Sequence, residues 1–355
     1  MDRSDEIQQQ VVAAFESRTP LAIRGGGSKD FYGRRPAAAT VLELRGHQGI
    51  LEYEPRELFL RARAGTPLRE IETTLAERGQ MLAFEPPYFS PHATFGGCVA
   101  SGLAGPRRPY AGAVRDHVLG VRLLNGRGED LRFGGKVMKN VAGYDVSRLL
   151  VGSLGSLGVL LEITCKVLPL PASTCSVALD LSTGDALEQL ATWSLRATPI
   201  SAAAHDGERL YLRLAGATSR VRNFAASVAG EVLEDETGNR FWEDLREQRL
   251  PFFAGDAPLW RLALPAGRPP TPDAFGPAFL DWGGQQRWLR GPLDAQALRA
   301  WAAAQGGHAT VFRNAQQGVE IFPDFPPALL ALQQRLKAAF DPAGILNPGR
   351  FKPSL

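Results

Sequence analysis

A chain of 355 residues with 44% hydrophobic and 22% charged residues carries apolar material for about two globular domains. Its net charge of +3 disfavours an electrostatic nucleic-acid binder, and no apolar run approaches the ~18 residues of a membrane helix. The three cysteines (Cys98, Cys165, Cys175) lack CxxC spacing and fall short of the roughly four thiolates of an iron–sulfur cluster, so they read as reduced core thiols of a cytoplasmic protein.

The opening MDRSDEIQQQVV is acidic and polar and carries no signal-peptide pattern. Ile7, Val11, Val12 and Phe15 recur at helical spacing and predict a helix over 4–18, stopped by Thr19-Pro20. A short strand, 21–24, then runs into Gly25-Gly26-Gly27, and further strands are expected at 41–44, 49–53 and 58–62. Thr66-Pro67 reads as a helix start with Gly79 as its stop, and Asn125-Gly126 as a hairpin turn. GVLLEITCKVLPLP is a buried strand ending at Pro169 and Pro171, the expected domain boundary. Beyond it the pattern is β-α-β-β-α, a ferredoxin-like split antiparallel sheet with helices on one face. Strands near 260–264, 279–282 and 287–290 extend it, 231–250 and 264–277 read as connections, and a helix at 326–340 precedes DPAGILNPGRF.

Four glycine-rich stretches could carry chemistry: RGGGSK (24–29), PHATFGGCVASG (91–102), MKNVAGYD (138–145) and GSLGSLG (152–158). Neither a Walker A loop nor a GxGxxG opening a helix is present, which disfavours a doubly wound NAD dehydrogenase. Successive glycine N–H groups can instead form a nest for a pyrophosphate, and a glycine pair at a helix start can add unsatisfied N–H groups. Taken alone, RGGGSK is equally a flexible loop, and Gly96-Gly97 equally a close helix–sheet contact.

Residues 1–171 resemble the FAD-binding domain of the vanillyl-alcohol-oxidase, or PCMH, type. IRGGGSKDFYG is similar to that family's pyrophosphate loop, PHATFGGCVASGLAGPRRPYAGAVRDHVLG to its second flavin segment, and LLVGSLGSLGVLLEITCKVLP to its third. DPAGILNPGRF is similar to the tail of FAD-linked oxidases that act on 2-hydroxy acids. GLAGPRRP, RFGGKVMKNVAGYDVSRL and the short second half are similar to the E-subunit family of bacterial glycolate oxidases. The resemblance implies an α+β fold. A PCMH-type FAD-binding domain of two α/β subdomains would occupy 1–171 and a ferredoxin-like antiparallel-sheet cap 172–325, with a C-terminal helix and tail, 326–355, returning to the first domain.

By the same resemblance, Gly25, Gly26, Gly27 and Ser28 bind the pyrophosphate through backbone N–H groups, and Thr94, Gly96, Gly97, Ser101 and Gly102 line flavin and phosphates. Gly112 passes close to the isoalloxazine, and Gly155, Gly158 and Val159 flank the adenosine half. Lys139, Asn140, Gly143 and Asp145 are expected around the same cleft, with Lys139 equally readable as a solvated charge. Ser28 stands where some relatives carry a flavin-bonded histidine, so the FAD is expected to be noncovalent. Leu154 stands where many carry glutamate.

A 2-hydroxy-acid oxidase needs an arginine for the carboxylate and a histidine-like base. The HxGDGNxH metal motif of catalytic relatives is absent, and the five histidines (His47, His92, His117, His205, His308) are scattered, so no catalytic residue or metal ligand is assigned. His205 with Arg213 and His308 with Arg313 are the cap pairs to inspect; Trp282 and Trp288 read as core or interface anchors. The implied role is the FAD-binding subunit of a glycolate (2-hydroxy acid) oxidase or dehydrogenase, beside a catalytic FAD subunit and an iron–sulfur subunit. Any inner-membrane association would then run through those partners. An autonomous flavin oxidase and a non-catalytic scaffold are the alternatives.

Overall fold

The computed structural model describes residues 1–135 and 145–354. Contacts divide the chain into two units, Met1–Leu103 with Gly112–Leu170 and Asp324–Leu355, and Ala104–Ala111 with Pro171–Pro323.

In the first unit, α1 (Ser4–Ser17) turns Ile7 and Val11 inward, and β1 (Leu21–Arg24) pairs in parallel with β2 (Thr40–Glu43). Ile7, Val11, Leu21, Leu42 and Leu346 share one core, each buried aliphatic stabilising it by roughly 1.5–3 kcal/mol. The C-terminal segment thus completes the core built by the first residues, and the Leu21 N–H donates to the Ile345 carbonyl at 2.7 Å.

β3 (Ile50–Glu54) and β4 (Phe59–Arg63) lead to α2 (Leu68–Ala76) and the short β5 (Gln80–Met81). α3 (Phe95–Ser101), α4 (Arg108–Ala111) and α5 (Val114–His117) precede β6 (Val118–Leu124) and β7 (Asp130–Gly134); α6 (Val146–Leu149), β8 (Val159–Lys166) and β9 (Leu168–Pro169) follow. β8 is buried except at its last residue because it is the central strand of an antiparallel sheet ordered β3-β4-β8-β6-β7. Two local expectations fail here. Thr66 does not cap α2: its Oγ1 accepts the Gly49 N–H at 2.9 Å, and Pro67 takes the cap position. The hairpin turn is longer than Asn125-Gly126, because Asn125 Oδ1 accepts the N–H groups of Arg127 (2.9 Å) and Glu129 (3.0 Å) and organises a loop over 125–129.

The second unit contains β10 (Ser173–Asp180), α7 (Thr183–Ser194), β11 (Ile200–His205), β12 (Arg209–Gly216), α8 (Thr218–Ser227) and β13 (Glu231–Val232). Then come α9 (Asp235–Arg246), β14 (Leu259–Ala263), β15 (Ala278–Asp281), β16 (Gln286–Arg290), α10 (Ala295–Ala304) and β17 (His308–Arg313). All eight strands form one antiparallel sheet, ordered β13-β10-β12-β11-β15-β16-β14-β17. Its first half is ferredoxin-like, with the spatial order fourth-first-third-second. The second half, β14 to β17, repeats that order, with the connection over 264–277 in place of the first helix. The halves meet at β11 and β15, through His205 opposite Leu280.

Helices do not lie on one face only. Val177, Leu179 and Leu212 pack with Leu190 and Trp193 of α7 and Val221 of α8, whereas α9 covers the opposite face, where Trp242 Nε1 donates to Ser176 Oγ at 3.0 Å. Residues 231–250, read as a connection, are therefore mostly helix. Residues 104–111 also depart from the expected 1–171 block. Trp282 Nε1 donates to the Gly105 carbonyl at 3.0 Å, and the Arg108 guanidinium lies 4.3 Å from the Trp282 ring centre. The last helix, α11 (Pro327–Phe340), leads into the tail. No helix among the described residues is long and apolar enough to cross a membrane.

Candidate functional site

The site is assembled from the turn after β1, the segment through α3, and the turn into β8. The first two touch through main chain. A Cβ at Gly25 would stand 2.5 Å from Thr94 Oγ1, and one at Gly26 would stand 1.4 Å from the His92 carbonyl oxygen. Gly27 has φ +70°, where a side chain is strained, and the Arg24–Asp30 ion pair (3.1 Å) spans it. Among the described residues, none accepts a hydrogen bond from the backbone N–H of Gly25, Gly26, Gly27 or Ser28. Four successive donors without acceptors among the described residues, beside a surface that excludes side chains, fit an anionic diphosphate.

α3 behaves differently from the expected helix-start anion site. Its first N–H groups are consumed within the protein, Phe95 by Thr66 O (2.9 Å), Gly96 by Ala64 O (2.7 Å) and Gly97 by Thr94 Oγ1 (3.2 Å). Gly96 lacks a side chain because a Cβ there would meet Ala64 Cβ at 2.7 Å. At the other end, Ser101 Oγ donates to Cys98 O (3.0 Å), and Gly102, with φ +63°, closes the helix in the left-handed conformation.

The third segment docks on that closure. Gly152 N–H donates to Val99 O (3.1 Å) and Leu154 N–H to Ala100 O (2.9 Å). Gly155 (φ +74°) leaves room for Asn347, while Gly158 and Val159 are buried against β6, with Val159 paired to Leu124. Gly112 (φ +98°) stands apart from these contacts; a Cβ there would lie 3.5 Å from Nε2 of buried His117. Asp145 caps α6 through the Arg148 N–H (3.2 Å) and pairs with the Arg148 side chain, whereas Lys139, Asn140 and Gly143 lie outside the described residues.

Several site residues escaped the sequence reading. Lys29, nearly buried, donates to Ser28 Oγ (3.2 Å) and Tyr88 O (3.4 Å), placing an ammonium at the edge of the β1 turn. The tail clamps this turn. Asn347 accepts the Ile23 N–H and donates to Leu154 O, both at 2.7 Å, and Arg350 donates to Tyr32 O (2.9 Å) and Lys29 O (3.3 Å). Burial pushes the Arg350 guanidinium below its ordinary value. The signal available in sequence was the NPGR run itself, which says nothing about its distant partners.

The cap pairs are not brought together. His205 is fully buried, with Nδ1 accepting the Gly207 N–H (3.1 Å) and Nε2 facing Leu181 O (2.8 Å), and Arg213 sits opposite Ala202 rather than His205. His308 and Arg313 occupy opposite ends of β17, and Arg313 donates to Gln248 Oε1 at 3.0 Å. Trp288 is buried among Phe253 and Phe312. Among the described residues no cluster of His, Cys, Asp or Glu is suited to a metal ion.

Residues 2–134 match the family model described as an FAD binding domain, and residues 313–351 that of the C-terminal domain of FAD linked oxidases. The chain is 45% identical over 354 residues to glycolate oxidase subunit GlcE of Escherichia coli (strain K12), covering 100% of this chain and 99% of that protein. It is 33% identical over 171 residues to glycolate oxidase subunit GlcD of Bacillus subtilis (strain 168), covering 47% of this chain and 36% of that one. A solved structure of p-cresol methylhydroxylase with substrate bound superimposes with a TM-score of 0.73 at 16% identity, covering 99% of this chain and 88% of that one, which shows the PCMH-type fold.

Proposed function

The chain belongs to the GlcE family of FAD-linked oxidoreductases, and we propose that within a multi-subunit glycolate oxidase it holds a noncovalent FAD that relays electrons. The carrying observation is the β1 turn, whose donors from Gly25 to Ser28 have no acceptor among the described residues. Those four N–H groups would hold the pyrophosphate, with Lys29 adding positive charge at the turn's edge. Thr94, Gly96, Gly97, Ser101 and Gly102 would form the wall facing it, and Gly155, Gly158 and Val159 would support the adenosine end. Gly112, beside His117, would leave the isoalloxazine a close approach to the backbone. When bound, the flavin accepts electrons in pairs and releases them singly, the chemistry needed between a partner that oxidises a 2-hydroxy acid and an iron–sulfur subunit. Ser28, in the position of a flavin-bonding histidine, gives no covalent attachment.

His205 is committed to structural hydrogen bonds, and His308 and Arg313 lie apart on β17. The substrate-oxidising step is therefore assigned to the catalytic flavoprotein partner, in the cytoplasm or at the membrane surface through the assembly. The experiment is direct. The purified chain should be yellow and release FAD on acid precipitation, and should reduce an artificial dye with glycolate only when assembled with its partners. A colourless chain that takes up no added FAD would overturn the cofactor role. Turnover by the isolated chain would overturn the relay role in favour of an autonomous oxidase.

A further inference from the structure

We propose that the outward face of α11, with the basic cleft beside it, is the surface on which another protein of the oxidase assembly docks, through an apolar ridge flanked by carboxylates. The proposal rests on the reading of this chain as one subunit of an assembly.

α11 is a 14-residue helix without a single buried residue. Ala328, Leu329, Ala331, Leu332, Ala338 and Ala339 all face solvent, with Leu329 37% and Leu332 43% exposed. Gln334 and Arg335 are the polar residues among these exposed turns. A solvent-facing helix ordinarily carries charges there, as α9 does with Asp235, Glu236, Arg240 and Glu243. An apolar face left open on an otherwise well-packed unit marks a contact surface.

The neighbouring cleft selects the occupant. Gln333, one position from Leu332, borders a cavity of about 270 Å³ that Arg115, Arg148, Ser153 and Phe351 also line. Arg115 is exposed and makes no hydrogen bond or ion pair with a described residue, and Arg148 is shared only with exposed Asp145. Lys337 is spent inside the fold on Ser156 O, Asp341 and Leu346 O. The outward charges of this patch thus include Arg115 and Arg335, cations with no carboxylate partner among the described residues, beside Arg148 and its partner Asp145. Carboxylates on the partner complement them, whereas a second copy docking by the same face would set arginines against arginines.

The test uses the full chain co-expressed with its GlcD-type and iron–sulfur subunits, the affinity tag placed on the GlcD-type subunit. Leu329→Glu/Leu332→Glu, and separately Arg115→Glu, should weaken co-purification of this chain by about tenfold or more. FAD content and melting temperature of the isolated variants should stay at wild-type values, which separates docking from folding and flavin binding. Leu195→Glu, at an 87% exposed position in the second unit, should leave association unchanged. Wild-type co-purification of the double variant overturns the proposal while leaving the subunit reading intact. So does a homodimer of the isolated chain that the double variant dissociates. Failure of the wild-type chain to associate with either partner overturns both the surface and the subunit reading.

Discussion

Replacing Gly26 with alanine adds one methyl group where the structure has no space for it. The new Cβ would stand 1.4 Å from the His92 carbonyl oxygen and 2.4 Å from its carbon. Real Cβ atoms essentially never approach closer than 3.0 Å, so the turn and segment 90–94 must separate by about 1.6 Å. No rotamer relieves the clash, because both sides are main chain. Overpacking of this kind costs about 1–3 kcal/mol. The displacement also shifts the donors of Gly25 to Ser28 against the Thr94 wall. A hydrogen bond to a charged group contributes about 1.5–3 kcal/mol. Loss of one from a bound pyrophosphate therefore weakens FAD binding by roughly ten- to a hundredfold. The assay is the flavin-to-protein ratio after gel filtration, followed by FAD titration of the apoprotein, with a thermal melt alongside. Gly26→Ala should lose flavin and keep the fold of the second unit. Gly184→Ala is the control, since its Cβ meets only Ser182 Oγ at 3.9 Å. Wild-type FAD content and affinity in Gly26→Ala would refute the cradle.

Asn347→Ala strips partners from the Ile23 N–H and the Leu154 carbonyl, which should cost about 2–4 kcal/mol in urea unfolding; a loss well under about 1 kcal/mol would contradict the clamp. His47 is fully buried, accepts the Arg3 N–H (3.1 Å) and faces Leu161 O (3.1 Å), and burial holds its imidazole below the ordinary histidine value against the pull of Asp2. The unfolded chain therefore takes up a proton that native His47 refuses. That stability is whole above about pH 6.5 and declines as the pH falls toward the native value, so His47→Asn should melt with a flatter profile between pH 8 and 5, and parallel curves would refute it. Burial pushes the Cys98 thiol up to about 12 and raises Cys165 and half-buried Cys175 too. A disulfide reagent at pH 8 should leave Cys98 and Cys165 intact until denaturant is added, and rapid native labelling of either would show the core to be open.

Periodicity exposed the elements whose apolar residues repeat locally. α1, β8, β10 and β12 were legible because their buried faces follow the helical or strand period. α9 was not, because only Trp242, Leu245 and Gly238 are buried in it. Gly238 looks like a helix breaker in sequence, but a Cβ there would meet Ser176 Oγ at 2.6 Å, so the glycine lets the helix lie on the sheet. The doubling of the ferredoxin-like unit left no sequence repeat, since the shared property is strand order and the second copy lacks its first helix. Asn347 and Arg350 were hidden by sequence separation, their partners Ile23 and Tyr32 lying more than 300 residues away.

The glycine stretches looked alike in sequence and differ in what each backbone does. At α3 the pair serves packing, because Ala64 needs the space and the early N–H groups already have acceptors. At the β1 turn, packing accounts for Gly25 and Gly26 and the left-handed conformation for Gly27, yet no described residue accepts from the N–H groups of residues 25 to 28. Donors released from the protein's own hydrogen bonding are the part a fold does not require. The donors that a diphosphate would use therefore lie together on one turn, flanked by the Arg24–Asp30 pair and the Asn347–Arg350 tail, with the segment leading into α3 packed against it.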